Sequence, residues 1–206
     1  MPPFTVLHVC MGNICRSPMA ERLLGTALRP LAGEKLVSSH SAGTGGWHAG
    51  EPMHPSAARQ VRSRGGDPDG FTARRLRSEH VDAADLVLVA TADQQLYVTA
   101  LRPDAAARTF VLGELGRLLR RVDLAALPPV EPSPDAVHAR GVALVAALDA
   151  LRDGAAPLPD DDLDDPWGRG EQTFGRVADE IEEVLRPLAA ALLGADVSPE
   201  RPGRPG

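Results

Sequence analysis

The sequence is short of cysteine and of lysine, and each shortage excludes a class of protein. Two cysteines in 206 residues are too few for the disulfide framework of a small secreted protein. The basic residues are almost all arginine, with Lys35 the single lysine, and the net charge is −6. No broad cationic face is therefore indicated, and we expect neither nucleic acid nor another polyanion as a partner.

Long apolar runs are also missing. No stretch approaches the length of a membrane span, and residues 1–5 lack the basic segment and apolar run of a signal peptide. We therefore expect a cytoplasmic protein without membrane insertion. The length and the 43% hydrophobic content suit one core. We predict a single domain over residues 1–197 and a disordered tail at 198–206, which has nothing to bury.

Short apolar runs alternate with helical patterns along the chain. Strands are predicted at 5–9, 35–40, 86–90 and 109–112, and helices from Pro18 onwards and at 54–64, 135–152 and 174–193. This alternation predicts an α/β fold: a small doubly wound parallel four-stranded sheet with helices on both faces. Ligands of such sheets bind at the carboxyl ends of strands, where the loop after the first strand lies.

That loop carries the residues with a chemical task. It reads Cys10-Met11-Gly12-Asn13-Ile14-Cys15-Arg16-Ser17. Its backbone N–H groups and the following helix N-terminus favour an anion, for which phosphate is a good fit. Cys10 would lie at the base of the loop as a thiolate nucleophile, and Arg16 would bind two phosphoryl oxygens at its rim. The predicted phosphate-binding residues are Met11, Gly12, Asn13, Ile14, Cys15, Arg16 and Ser17.

Three of these residue types have specific reasons to be present. Ser17 can donate a hydrogen bond to the sulfur, Gly12 allows close approach of the backbone, and Asn13 tolerates a left-handed conformation while its amide braces the loop. An isolated Cys-x5-Arg pattern would equally fit a buried cysteine and a surface arginine. Seven fixed positions in Cys-x-Gly-Asn-x-Cys-Arg-Ser-Pro arise by chance on the order of once in a million chains or less, which favours a functional loop.

The segment Val9-Cys10-Met11-Gly12-Asn13-Ile14-Cys15-Arg16-Ser17-Pro18 resembles the signature loop of low-molecular-weight protein tyrosine phosphatases. Ser41-Ala42-Gly43-Thr44 with Trp47-His48-x-Gly50-x-Pro52, and Asp85-Leu86-Val87-Leu88-Val89, resemble further segments of that family. The resemblance implies hydrolysis of a phosphotyrosine-containing protein or a small aryl phosphate through a phosphocysteine, without a cofactor. We expect a monomer or a weak homodimer. Beside the family core, residues from about 121 to 160 form a predicted helical insertion.

Expulsion of the leaving group calls for a proton donor. The resemblance places it in an Asp-Pro-aromatic motif, which Asp165-Pro166-Trp167 matches. Asp164 is the second choice, because the proline fixes the backbone directly after Asp165. Taken alone, the Asp-Pro pair would more simply be a turn in an acidic, solvated loop.

Two tryptophans stand in the motif segments of a chain with only seven aromatic residues. We predict that Trp47 and Trp167 form aromatic walls for a flat ring, with a packing role as the alternative. No metal-ligand spacing appears, so we predict no metal site. The histidines are expected to be core, packing or surface residues: His8, His40, His48, His54, His80 and His138.

Supporting roles are predicted for two further positions. Ser41 resembles the family residue that hydrogen-bonds the loop asparagine, Asn13. Cys15 is either a redox guard that forms a disulfide with Cys10 under oxidant or a small packed thiol. Phe71 stands where many relatives carry a loop-bracing histidine, so we expect a reduced network around Asn13.

Three alternatives remain open. Arsenate reduction on the same scaffold uses further cysteines, and none follows Cys15. Phosphoarginine phosphatases resemble this chain but carry threonine where Ile14 stands, and a branched apolar side chain suits a flat ring better. A non-catalytic phosphate-binding or redox module would have no need of Asp165.

Overall fold

Four short apolar strands form the centre of the molecule. The computed structural model describes residues 2–195, so the predicted tail at 198–206 lies outside it. The elements are β1 (Phe4–Cys10), α1 (Arg16–Leu28), β2 (Val37–Gly43), α2 (Pro55–Ser63), α3 (Ser78–Asp82), β3 (Leu86–Val89), α4 (Ala92–Leu101), β4 (Thr109–Val111), α5 (Leu112–Leu119), α6 (Pro134–Arg152) and α7 (Glu171–Leu193). The strands pair in parallel in the order β2-β1-β3-β4, which confirms the predicted sheet.

Alternate residues of the strands pack into two separate apolar cores, one on each face of the sheet. Phe4 and Val6 of β1 pack with α1, α2, α5, α6 and α7, whereas Leu7 and Val9 pack with α3 and α4 on the opposite face. Such two-sided burial explains why β3 reads as an unbroken apolar run. The prediction of helices on both faces is confirmed. No helix in the described part of the chain is long and apolar enough to cross a membrane.

Two predicted boundaries are wrong at the edge of the loop. The second strand extends through Gly43 instead of ending at residue 40, because Ser41 and Gly43 pair with β1. Position 43 requires glycine because the backbone of the loop lies very close: a Cβ there would lie 2.7 Å from the carbonyl oxygen of Met11. The first helix begins at Arg16 instead of Pro18, and the proline occupies its first turn, where an N–H has no helical acceptor.

The region from 121 to 160 packs on the same core as the rest of the chain. Helix α6 crosses β1 so closely that a Cβ at Gly141 would lie 2.4 Å from the ring of Phe4. Leu144 of α6 is fully buried in the larger core. Arg140 is buried beside it and donates from Nε to the carbonyl of Ala191 in α7, at 2.6 Å. This region therefore helps to cover the sheet.

Candidate active site

The loop between β1 and α1 surrounds the sulfur of Cys10. The Ser17 Oγ lies 3.0 Å from Cys10 Sγ, and the backbone N–H of Asn13 donates to the same sulfur at 3.3 Å. Ser17 also accepts from the Asn13 amide at 2.9 Å, which leaves its own hydrogen for the sulfur or for the more distant carbonyl of Ala42 at 3.4 Å. Cys10 is a free thiol, and its sulfur lies within hydrogen-bond distance of these two groups.

Asn13 braces the loop from behind. Its φ is 56°, the left-handed conformation that asparagine tolerates better than most residues. Its Nδ2 donates to Ser17 Oγ and to Ser41 Oγ, each at 2.9 Å, and its Oδ1 accepts from the backbone N–H of Arg74 at 2.9 Å. Ser41 in turn donates to Glu21 Oε2 at 2.6 Å. Both ends of the amide are therefore bound within a buried network.

With Phe71 in place of a histidine, the Asn13 amide still makes all the bonds described above. Phe71 is buried in the core and lies 6.0 Å from the guanidinium of Arg22. The backbone of Arg74 and the carboxylate of Glu21 complete the bonds of Asn13 and Ser41 without an imidazole. The side chain of Arg74 adds a bond from Nε to the carbonyl of Ser41, at 2.8 Å.

Arg16 connects the loop to a distant segment. Its side chain is 6% exposed, and Nη1 donates to the carbonyl of Leu163 at 3.0 Å. Its Nη2 lies 3.0 Å from Oδ2 of Asp165, whose side chain is 49% exposed. The other carboxylate oxygen of Asp165 accepts from the backbone N–H of Trp167 at 3.2 Å. The predicted nucleophile, arginine and acid thus come together.

The two neighbouring aspartates have different surroundings. Asp164 Oδ2 pairs with Arg176 Nη2 at 2.6 Å, and this hydrogen bond is the main reason that the pKa of Asp164 is lowered. Asp165 instead pairs with Arg16 and lines the cavity above Cys10. The geometry therefore favours Asp165 over Asp164 as the candidate acid.

The acidic residues just before Asp165 bind the chain around Asp165 to the rest of the fold. This structural role was not predicted from the sequence. Asp161 is 5% exposed and pairs with Arg117 at 2.7 Å, so it is not a solvated loop residue. Asp162 accepts from the backbone N–H of Ala92 at the start of α4, at 2.8 Å. The backbone of the next residue, Leu163, bonds to the carbonyl of Ala90 at 2.8 Å.

A cavity of about 370 Å³ opens above the loop. This volume suits a small ligand such as a phosphorylated ring. Its lining residues are Cys10, Met11, Gly12, Ile14, Cys15, Arg16, Trp47, His48, Asp165 and Trp167. Trp47 and Trp167 are 64% and 61% exposed, so they flank the mouth and are not core residues. Asn13 and Ser17 are outside the lining; their side chains support the loop instead.

His48 is the cavity residue that sequence reasoning missed. It was expected at the surface or in packing, but it lines the cavity, and its Nδ1 donates to Glu51 Oε2 at 2.8 Å. A Cβ at Gly12 would lie 3.1 Å from its ring, so the glycine makes room for the imidazole. The sequence signals were its place directly after Trp47 and the glutamate three residues on.

Cys15 differs from Cys10 in its surroundings. Burial raises the pKa of Cys15 to about 12, with smaller contributions from Cys10 and Asp165 that Arg16 partly offsets. It therefore stays a protonated thiol at neutral pH. Within residues 2–195, no group of three or more His, Cys, Asp or Glu side chains is placed to hold a metal ion.

Comparison with known proteins assigns the fold and the loop. The family model described as "Low molecular weight phosphotyrosine protein phosphatase" matches residues 5–139, which include the loop but not Asp165. The low molecular weight protein-tyrosine-phosphatase YfkJ of Bacillus subtilis is 38% identical over 89 residues, which are 43% of this chain and 57% of that protein.

Solved structures extend the likeness over nearly the whole chain. Vibrio vulnificus Wzb in complex with benzylphosphonate superposes with a TM-score of 0.62 at 21% identity, covering 90% of this chain and 97% of that one. The YwlE arginine phosphatase of Geobacillus stearothermophilus gives 0.63 at 24% identity, covering 91% of each chain. At these identities the likeness concerns the fold.

The left-handed conformation of Asn13 predicts that two substitutions at this position lower the free energy of unfolding by different amounts. Asn13→Gly and Asn13→Ala both remove the amide hydrogen bonds, but only alanine retains a Cβ in the left-handed conformation. We expect Asn13→Ala to lose about 1 kcal/mol more free energy of unfolding than Asn13→Gly. Urea denaturation of the three proteins measures this difference. Equal losses would show that the left-handed backbone at position 13 costs nothing.

Proposed function

The chain belongs to the low molecular weight phosphotyrosine protein phosphatase family, and from this premise we propose that it hydrolyses aryl phosphate esters through a phosphocysteine on Cys10. The single observation that carries the proposal is the convergence of Cys10, Arg16 and Asp165 on one cavity. The geometry supports a nucleophile, an anion-binding group and a proton donor in one place.

The proposed reaction has two steps. The Cys10 thiolate attacks phosphorus while Arg16 binds phosphoryl oxygens, and the bond to the leaving oxygen breaks as Asp165 gives that oxygen its proton. In the second step the Asp165 carboxylate takes a proton from water, which attacks the phosphocysteine and releases phosphate and the free thiolate.

The walls of the cavity favour an aromatic leaving group. Ile14 and Met11 provide apolar surface next to the nucleophile, and Trp47 and Trp167 flank the mouth. A flat ring can pack between such groups, which contributes more than an alkyl chain of the same length. We propose that the substrate is a phosphotyrosine-containing protein or a small aryl phosphate, and that the enzyme acts in the cytoplasm, where its thiols stay reduced.

Under oxidant, we propose that Cys15 protects the nucleophile by forming a disulfide with it, since both thiols lie in one loop. The raised pKa of Cys15 fits this role at rest, because the protonated thiol does not compete with Cys10 for the phosphoryl group.

The nucleophile is tested by exchange of each cysteine. Cys10→Ser is expected to lower the turnover of p-nitrophenyl phosphate by about a thousandfold or more, because the hydroxyl is a much weaker nucleophile here. Rapid acid quench of the unaltered enzyme should trap phosphate on Cys10. The matched control is Cys15→Ser, which should retain turnover within about tenfold. Full activity of Cys10→Ser would refute the phosphocysteine.

The acid is tested by exchange of each neighbouring aspartate. Asp165→Asn is expected to lower kcat for phenyl phosphate about a hundredfold or more, and to lower it less for p-nitrophenyl phosphate, whose leaving group needs less protonation. Asp164→Asn keeps the same charge change but should alter kcat little. A non-catalytic phosphate-binding module would show no turnover even in the unaltered protein, and equal losses in the two variants would overturn the choice of Asp165.

Leaving-group specificity is tested at Ile14. Threonine adds a hydroxyl that could bond to a phosphoguanidinium, whereas valine has the same shape without it. We expect Ile14→Thr to raise the ratio of kcat/KM for phosphoarginine to that for phosphotyrosine by about tenfold, and Ile14→Val to leave the ratio unchanged. An unaltered enzyme that prefers phosphoarginine, or that reduces arsenate with external thiol faster than it hydrolyses phosphotyrosine, would contradict the aryl specificity.

A further inference from the structure

A second, small cavity lies behind the loop that joins β1 to α1, between the sheet and α1. Its volume is about 10 Å³, the lower limit for one internal water molecule. It is lined by side chains that include His8, Arg16, Leu88, Leu112 and Leu163. His8 and Arg16 each carry one buried nitrogen that has no hydrogen-bond partner within residues 2–195: His8 Nδ1 and Arg16 Nε. Two such atoms in residues of one cavity call for an explanation.

The bonds of His8 determine which of its nitrogens carries the hydrogen. The His8 Nε2 lies 3.1 Å from Ser39 Oγ, and that hydroxyl donates its only hydrogen to the carbonyl of Glu21 at 3.0 Å. His8 must therefore donate from Nε2, which leaves Nδ1 as an acceptor. Burial, and to a smaller extent the charge of His40, lower the pKa of His8 to about 3, so the ring is neutral at working pH.

Arg16 presents the complementary group. Its Nη1 donates to Leu163 and its Nη2 pairs with Asp165, but in the described part of the chain the N–H at Nε has no acceptor. A buried donor on a charged group is costly to leave unpaired. Two residues that line the cavity thus carry complementary groups, an acceptor on His8 and a donor on Arg16, that are not bonded to each other.

We propose that one internal water molecule accepts a hydrogen bond from Arg16 Nε and donates one to His8 Nδ1, and that His8 is in this way a positioning residue for the arginine. The proposal rests on the proposed function insofar as Arg16 binds phosphate. The water holds the guanidinium at a third nitrogen, so its plane is fixed before the phosphoryl group arrives. His8 acts through Arg16 and does not touch the substrate.

The test compares two replacements of His8. Leucine removes the acceptor at similar volume, whereas asparagine keeps a side-chain oxygen near the position of Nδ1. His8→Leu is expected to raise the inhibition constant of inorganic phosphate about tenfold, and His8→Asn should restore it to within about threefold of the unaltered enzyme. Thermal unfolding of each variant separates this effect from loss of the fold. Equal phosphate inhibition of folded His8→Leu and the unaltered enzyme would overturn the positioning role.

The water itself is observed by NMR, independently of activity. In the unaltered protein the Arg16 Nε–H should give a resolved signal with a cross-peak to a long-lived water, and this cross-peak should remain when inorganic phosphate binds. Its absence, or its loss on addition of phosphate, would show that Nε has another partner and would refute the bridge. This measurement decides the proposal even if His8→Leu does not fold or if the protein fails to hydrolyse any phosphate ester.

Discussion

The guanidinium of Arg16 joins two segments that lie almost 150 positions apart in the chain. It bonds to the carbonyl of Leu163 and to the carboxylate of Asp165, and Arg16 is the first residue of α1, directly after the loop that holds Cys10. This link brings the Cys10 sulfur of the loop and the Asp165 carboxylate of the late segment to one cavity.

Further hydrogen bonds hold each of the two segments that Arg16 joins. On the loop side, Asn13 uses both ends of its amide, and Ser41 passes the bond on to Glu21. On the other side, Asp162 and the backbone of Leu163 tie the late segment to the carboxyl end of β3. The donors and acceptors are therefore fixed before a ligand arrives, and little ordering is left for binding to supply. Such an arrangement suits a reaction in which charge develops on phosphoryl oxygens.

Sequence patterns were reliable where the determinants are local. The strands, the loop and the left-handed Asn13 follow from apolar runs and residue type over a few positions. The end of β2 was missed because Ser41 and Gly43 are strand residues through pairing with β1, which composition does not encode. Asp161 and His48 were misplaced for the same reason, since their partners Arg117 and Gly12 are brought to them by the fold. The donor to Asn13 Oδ1 could not be read from the sequence either, because it is the backbone N–H of Arg74, 61 positions away.

The two cysteines show how one loop gives different surroundings to identical groups. Cys10 is the last residue of β1. Its sulfur accepts a hydrogen bond from the backbone N–H of Asn13 and lies within hydrogen-bond distance of Ser17 Oγ. Cys15 precedes the helix by one residue, and there burial outweighs the opposing effect of Arg16, so its pKa is raised. Proximity to the arginine is thus not sufficient to lower the pKa of Cys15. The loop directs a backbone N–H at the Cys10 sulfur because Asn13 adopts a conformation that few other residues tolerate.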